Sequence, residues 1–316
     1  MGQQSVTMLG RRDVLPGLQP ATAAVWSGGV VRQILACTDF SPVSVLAVEE
    51  AARLSLERNA RLTLLHVFEY GVASARDEGA AGVAEKLRNN ECHRLTELLK
   101  RLRTTGVQVN AVMTDGDAGD AILKAIVEHQ ADVAVLGTHG FSGVERMIFG
   151  SVAEQVFRRA SCPVLTVGPR TDQGLSAAVG GPVVFATDFQ RPMMEAVRYA
   201  ASYAQASSAA LHCLHVLPLP MEHSERAAAV PQIMTEALHH LLDADAERQT
   251  RPVCSIAYGS EISQTIVDYA EEHGARLIVL GVRRRLPISH HLPARVTYQT
   301  IVTASCPVLT ISYTPD

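Results

Sequence analysis

The stretch Ser161-Cys162-Pro163-Val164-Leu165-Thr166-Val167 shows that the chain contains a repeat, because it recurs near the end of the chain as Ser305-Cys306-Pro307-Val308-Leu309-Thr310-Ile311. The two copies lie 144 positions apart (305 minus 161). Upstream, Thr38-Asp39-Phe40 matches Thr187-Asp188-Phe189 at a spacing of 149 (187 minus 38). Self-similarity over such a distance indicates a duplicated domain. The second copy has therefore lost a net five residues (149 minus 144) in its middle part.

The repeat defines the domain organisation of the 316-residue chain. We predict a flexible tail at residues 1–30, a first domain at 31–170, a linker at 171–180 and a second domain at 181–316. The tail shows no strong hydrophobic period, and the linker is polar and ends in glycine. The length agrees with this division, because single domains usually span ~100–200 residues.

Within each repeat, short runs of Val, Ile and Leu alternate with Ala- and Glu-rich segments of helical period. This alternation is typical of β-α-β units around a parallel sheet. It predicts two tandem doubly wound, Rossmann-like α/β domains, each a five-stranded parallel sheet with about four helices. In the first repeat the predicted strands are 31–37, 61–67, 107–113, 132–137 and 163–167, and the predicted helices are 43–58, 83–103, 119–129 and 151–159.

Composition narrows the class of protein. Lys and Arg total 28 against 32 Asp and Glu, and a net charge of -4 offers no basic field for nucleic acid or an anionic membrane. No apolar run reaches the ~18–20 residues that cross a bilayer. The six cysteines form no C-x-x-C motif, which favours reduced thiols. We expect a cytoplasmic protein with no membrane and no nucleic-acid partner.

A glycine-rich motif follows the fourth predicted strand. It reads Gly137-Thr138-His139-Gly140, then nine residues, then Gly150-Ser151, with Ser151 opening a helix. Glycine permits close backbone approach, and the N–H groups and dipole of a helix N-terminus attract anions. The motif therefore predicts a phosphate site. The alternative is that these residues are turn glycines and a helix cap that serve folding alone. It is neither a Walker A loop nor a dinucleotide fingerprint.

These residues resemble the universal stress protein family in its tandem two-domain form. The resemblance runs from about residue 31 to the C-terminus. Its most specific element is the family's ATP-binding pattern, G-x-x-G followed by nine residues and G-[S/T], which the first repeat matches at every fixed position. The stretches Thr38–Ser41, Leu65–Val67 and Ser161–Val164 also look like family signatures.

The resemblance implies an ATP site in the first repeat, with Mg²⁺ bound mainly through the phosphates. The implied ATP-binding residues are Cys37, Thr38, Asp39, Val67, Leu136, Gly137, Thr138, His139, Gly140, Gly150, Ser151 and Val152. Asp39 and Val67 would border the adenine and ribose, and Ser151 would help to hold the phosphates. For Asp39 the alternative is a helix N-cap, and His66 is read as a packed histidine at a strand end.

The second repeat departs from the motif. Gly281 is retained, but Arg284 replaces Gly140, Ala294 replaces Gly150 and Arg295 replaces Ser151. We expect no ATP there by the same mode. The run Arg283, Arg284 and Arg285 is either an anion site or a solvated loop. No metal site is predicted, since His212 and Cys213 are neighbours on a strand and face opposite sides.

The resulting hypothesis is a nucleotide-dependent regulatory protein of the stress response, which acts through a protein partner that the sequence does not identify. The alternative is a slow ATPase or phosphotransferase using the same site, and no catalytic residue is assigned. The resemblance also implies that the edge strands at 163–167 and 307–311 pair, giving an intramolecular pseudo-dimer, and that a homodimer could form.

Overall fold

The computed structural model describes residues 7–8, 31–69, 78–138, 151–171, 180–189, 194–218, 225–242, 247, 250–283 and 295–313. The chain divides into two compact units, which change over between Val164 and Leu165. Each unit consists of parallel strands connected through helices. The predicted tandem α/β class is therefore confirmed. The predicted linker falls largely at residues 172–179, outside the described residues.

Unit 1 contains a parallel sheet in the order β1-β4-β3-β2-β5. Its strands are β1 (Thr7–Met8), β2 (Gln33–Cys37), β3 (Arg61–Phe68), β4 (Val109–Asp115) and β5 (Val133–Gly137), with β6 (Val164–Val167) at the boundary between the units. Its helices are α1 (Pro42–Arg58), α2 (Glu78–Thr104), α3 (Ala118–Glu128) and α4 (Ser151–Arg159).

Strand β1 is a feature that the sequence analysis did not predict. Thr7 is the register partner of Val112, and Met8 is the partner of Met113. Two residues inside the predicted tail therefore add a short parallel strand beside β4. The remaining residues of 1–30 lie outside the described residues.

Unit 2 repeats this arrangement. Its strands are β7 (Val183–Thr187), β8 (Leu211–Leu217), β9 (Val253–Tyr258), β10 (Leu277–Arg283) and β11 (Val308–Tyr313), and its helices are α5 (Met194–Ala206), α6 (Glu225–His239), α7 (Ile262–Glu272) and α8 (Arg295–Thr303). The sheet order is β11-β10-β7-β8-β9, again parallel. Among the described residues, no helix has the length and apolar character needed to span a bilayer.

The local sequence explains why unit 1 folds this way. Ile34, Leu35 and Ala36 on β2 are buried, as expected for a central parallel strand covered on both faces. Helix α1 begins after Ser41, whose side chain accepts a hydrogen bond from the Ser44 amide, and Pro42 occupies its first position. The result is a helix that starts directly beyond the carboxyl end of β2.

The strand order fixes where a ligand can bind. Strand β2 pairs with β3 on one side and with β5 on the other, both in parallel, so the order in which strands are added to the sheet reverses between β2 and β5. In open parallel sheets, ligands bind in the crevice beyond the carboxyl ends of the strands at such a switch point. In unit 1 this crevice lies beyond Cys37 and Gly137.

Candidate functional site

A cavity of about 440 Å³ opens at this switch point in unit 1. The carboxyl ends of β2, β3 and β5 and the first turns of α3 and α4 contribute to its walls. Of the predicted ATP-binding residues, those that line it are Cys37, Thr38, Asp39, Val67, Leu136, Gly137, Thr138, Ser151 and Val152. The other three, His139, Gly140 and Gly150, lie outside the described residues. The cavity therefore brings together nine of the twelve predicted positions.

The cavity also includes two carboxylates that the sequence analysis missed, Glu69 and Glu91. Glu69 follows the end of β3, and Glu91 comes from the middle of α2. Glu69 Oε1 accepts a 2.8 Å hydrogen bond from the Ala118 amide and so caps the start of α3. The position of Glu69 directly after a strand could have drawn attention to it, whereas Glu91 belongs to no local motif.

The turn after β2 is held by its own side chains. The Phe40 amide donates to Thr38 Oγ1 at 2.9 Å, and the hydroxyls of Thr38 and Ser44 share a hydrogen bond of 3.0 Å. The Ser41 amide donates to Asp39 Oδ1 at 2.9 Å. Ser41, and not Asp39, is therefore the N-cap of α1. The exposed carboxylate of Asp39 remains at the edge of the cavity.

His66 connects this turn to α2. Its ring is 4% exposed; Nδ1 lies 2.8 Å from the Thr38 carbonyl oxygen, and Nε2 lies 2.8 Å from Glu91 Oε2. A carbonyl oxygen only accepts, so Nδ1 carries a hydrogen, and Nε2 and Glu91 then share one proton. The Phe40 ring lies 4.5 Å from the imidazole, centroid to centroid. His66 is thus a packed histidine that also forms part of the cavity wall.

Gly137 lies where β5 approaches the first turn of α1. A Cβ atom at this position would be 2.8 Å from the Ser44 nitrogen and 2.9 Å from the Val43 carbonyl carbon. Both are backbone atoms, which cannot rotate away as a side chain could. The glycine is therefore required for the close packing of strand on helix, in addition to lining the cavity.

Helix α4 begins at the cavity with Ser151, which is exposed, and Val152, which is half-buried. The amides of a first helical turn have no acceptor inside their own helix, and the helix dipole places partial positive charge there. The Ser151 hydroxyl adds another donor. This part of the wall suits an anion such as a phosphate group.

Cys37 places a thiol, a group that can act as a nucleophile, in the wall of the cavity. Burial, and to a smaller extent the neighbouring Cys162, raises the pKa of its thiol well above the usual range. A thiol in this state is a poor nucleophile, so Cys37 contributes apolar surface. Across the described part of the chain, no group of three or more His, Cys, Asp and Glu side chains is placed to hold a metal ion.

The equivalent position in unit 2 differs at the helix start. Helix α8 begins with an exposed Arg295, where α4 begins with Ser151. Strand β10 ends at Arg283, and Arg284 and Arg285 lie outside the described residues. For Arg283, Arg284 and Arg285, the two predicted alternatives, an anion site and a solvated loop, both stay open.

Comparison with known proteins places this geometry in a family. A model of the Universal stress protein family matches the chain twice, at residues 31–168 and 181–312. The universal stress protein MJ0531 of Methanocaldococcus jannaschii is 30% identical over 138 residues, which are 43% of this chain and 81% of that protein. YxiE of Bacillus subtilis, also a universal stress protein, is 29% identical over 144 residues, 43% of this chain and 97% of its own.

Solved structures also match most of the chain. The crystal structure of a universal stress protein from Archaeoglobus fulgidus aligns with a TM-score of 0.68 and 20% identity, covering 89% of this chain and 98% of the other. At this identity the likeness shows a shared fold. Because the family model matches both halves, the chain belongs to the universal stress protein family and carries two copies of its domain.

Proposed function

We propose that unit 1 binds ATP in its switch-point cavity and that the bound nucleotide regulates how this stress protein contacts a protein partner. The observation that carries the proposal is the composition of one cavity: apolar side chains, carboxylates and a helix N-terminus surround about 440 Å³. Small-molecule sites usually occupy ~300–1,000 Å³. The cavity thus has the size and the mixed chemistry that a nucleotide requires.

The inner part of the cavity suits a nucleoside. Cys37, Leu136 and Ile122 are buried and apolar, and they offer a surface for a flat base. The carboxylates of Asp39 and Glu91 lie in the same wall and can accept hydrogen bonds from hydroxyl or amino groups. These carboxylates would repel phosphates, so we assign the phosphates to the part of the wall formed by the N-terminus of α4, called the α4 side below.

The α4 side would hold the phosphates through backbone and hydroxyl donors. Ser151 and Val152 open this helix, and the sequence motif adds Gly140 and Gly150 to the same set. Mg²⁺, when bound, would neutralise phosphate charge and be held mainly by the phosphate oxygens. The described cavity wall contains no lysine or arginine. Binding here would therefore rely on N–H groups and the helix dipole.

A regulatory role is favoured over dedicated catalysis. Phosphoryl transfer needs a positioned nucleophile and strong charge stabilisation. The described wall supplies carboxylates but no cationic side chain, and the Cys37 thiol is held protonated. None of the six cysteines, all of which the structure describes, is in a disulfide, which fits the cytoplasmic setting that we propose.

Calorimetric titration with ATP tests the proposal. We expect Ser151→Asp to weaken ATP binding about tenfold or more, because a carboxylate at the α4 N-terminus would repel the phosphates. The same charge suits a helix N-terminus, so the fold should be kept. Arg295→Asp is the matched control, since it makes the same residue at the first position of α8; it should bind like the parent.

Three outcomes would overturn the proposal or its parts. No heat of binding with the parent protein at millimolar ATP would refute the nucleotide site. Loss of binding in Arg295→Asp but not in Ser151→Asp would move the site to unit 2. Phosphate release well above the buffer rate, lost in Ser151→Asp, would show an ATPase in place of a regulator.

Sedimentation with and without ATP tests whether the protein forms a homodimer.

A further inference from the structure

Two cysteines lie side by side on neighbouring strands of unit 2. Cys213 on β8 is the register partner of Cys254 on β9, so both side chains point to the same face of the sheet. Neighbouring strands are ~4.8 Å apart, which is inside the ~4.4–6.8 Å between Cα atoms that disulfides span. Both residues are free thiols and hydrogen-bond to each other.

The two thiols differ in their access to solvent. Cys213 is 0% exposed, whereas Cys254 is half-buried on β9, the outermost strand of the described sheet order in unit 2. Helix α6 packs against both strands and ends at His239. A small molecule can therefore reach Cys254 first, and Cys213 is reached through Cys254.

The surroundings also make the thiols chemically unequal. The pKa of the Cys254 thiol is lowered to about 7, mainly by the hydrogen bond from Cys213 and also by His239, although burial and Glu247 act in the opposite direction. The same hydrogen bond and burial raise the pKa of Cys213. Cys254 is thus the more acidic thiol of the pair and the one that more readily forms the thiolate, which is the form that reacts with oxidants.

On the opposite face of the sheet, polar contacts from α7 connect β8 to β9. The Tyr269 hydroxyl donates to Ser255 Oγ at 2.9 Å and lies 3.0 Å from His212 Nδ1. His212 precedes Cys213 and Ser255 follows Cys254, so this bridge from α7 crosses diagonally from β8 to β9 behind the cysteine pair. It connects the two strands at the position of the cysteines.

We propose that Cys254 is a peroxide-reactive thiol and that Cys213 is its resolving partner, forming a reversible disulfide within unit 2. The oxidant is hydrogen peroxide: the Cys254 thiolate attacks one of its oxygens, the S–O bond forms, the O–O bond breaks, and hydroxide is the leaving group. The Cys213 sulfur then attacks the sulfur of the sulfenic acid. The S–S bond forms, the S–O bond breaks, and the hydroxyl group leaves as water after taking up the Cys213 thiol proton. A dithiol reductant reverses the disulfide.

This site is independent of the proposed nucleotide cavity, which lies in unit 1. Disulfides in reducing compartments are usually transient and serve catalysis or redox sensing. A low-pKa, partly exposed cysteine next to a resolving cysteine is the arrangement found in thiol sensors. Unit 2 would therefore carry a chemical sensor although it lacks the glycine motif of unit 1.

The experiment treats the full-length protein with equimolar hydrogen peroxide, blocks remaining thiols with iodoacetamide and maps the peptides by mass spectrometry. We expect a peptide pair joined through Cys213 and Cys254, and a fall from six to four thiols titrated in denaturant, restored by dithiothreitol. In Cys213→Ser, whose hydroxyl can still donate a hydrogen bond to Cys254, the disulfide should be lost, and Cys254 should be trapped as a sulfenic acid by dimedone. Cys92→Ser, altered in unit 1, should behave like the parent.

Peptide mapping of the parent protein needs no variant, so a folding defect in Cys213→Ser cannot obscure the result. Both cysteines remaining free, a disulfide between other cysteines, or unchanged peroxide consumption in Cys254→Ser would each overturn the proposal.

Discussion

Replacing Gly137 by alanine would place a methyl group between β5 and the first turn of α1. The new Cβ would lie 2.8 Å from the Ser44 nitrogen and 2.9 Å from the Val43 carbonyl carbon, whereas ordinary contact begins at 3.4 Å. The shortest distance must therefore grow by 0.6 Å (3.4 minus 2.8). Because both neighbours are backbone atoms, the helix start itself has to move.

The expected cost follows from this overlap. Inserting one methylene-sized group into a packed interior costs about 1–3 kcal/mol when the surroundings have to shift. For a domain of this size, 1 kcal/mol corresponds to about 3 °C in melting temperature. We therefore expect Gly137→Ala to lower the melting temperature of unit 1 by about 3–10 °C. Since Gly137 and Ser44 both line the cavity, ATP binding should weaken as well.

Circular-dichroism melting measures this effect, and Gly82→Ala is the matched control. Gly82 lies in α2, its added Cβ would meet nothing within 4 Å, and its φ is not positive. Alanine there should raise the free energy of unfolding by about 0.5–1 kcal/mol, because glycine is a poor helix former. Equal melting temperatures for Gly137→Ala and the parent would refute the argument that close packing requires this glycine.

The remaining predictions concern three other positions. Glu91→Gln should cost unit 1 about 1–3 kcal/mol in urea unfolding, because the buried His66 Nε2 exchanges its 2.8 Å hydrogen bond to a carboxyl group for one to an amide; an unchanged midpoint contradicts this. Alkylation of Cys254 should rise with pH around a midpoint near 7, since its pKa is lowered to about 7 by the Cys213 hydrogen bond, and a midpoint above 8.5 contradicts it. Asn59→Ala should cost about 1 kcal/mol at the left-handed end of α1, where φ is 50°, and Asn59→Gly should not.

The elements that carry the site were predictable because their sequence signals are local. The apolar runs that form β2 and β5 ended at Cys37 and Gly137 as predicted, and α4 begins at Ser151 as predicted. Strand β1 was missed, since two residues without a hydrophobic period acquire their structure only by pairing with β4. Helix α2 starts at Glu78, five positions before the prediction at Val83, because its first turn contains little apolar sequence.

The cavity was predictable only in part. The glycine motif and the switch-point rule led to its α4 side, because both are visible along the sequence. Glu91 was missed, as its place in the wall depends on how α2 packs beside β3. Its partner His66 was read as a packed strand-end residue, which agrees with its burial but not with its position on the cavity wall. The positions of such residues on the cavity wall depend on tertiary packing, which cannot be deduced from residue spacing in the sequence.

The two units provide an internal comparison that separates folding from binding. In both, the Phe of the Thr-Asp-Phe stretch has a positive φ, 64° in one and 59° in the other, which is costly for a bulky residue. In both, a histidine nitrogen lies near the Thr carbonyl oxygen, 2.8 Å for His66 and 2.7 Å for His215. Unit 2 keeps this turn although it has lost the glycine motif, so phosphate binding cannot be the reason for the turn. The strained turn serves the fold, and the difference between Ser151 and Arg295 at the helix starts is where a difference in nucleotide binding should arise.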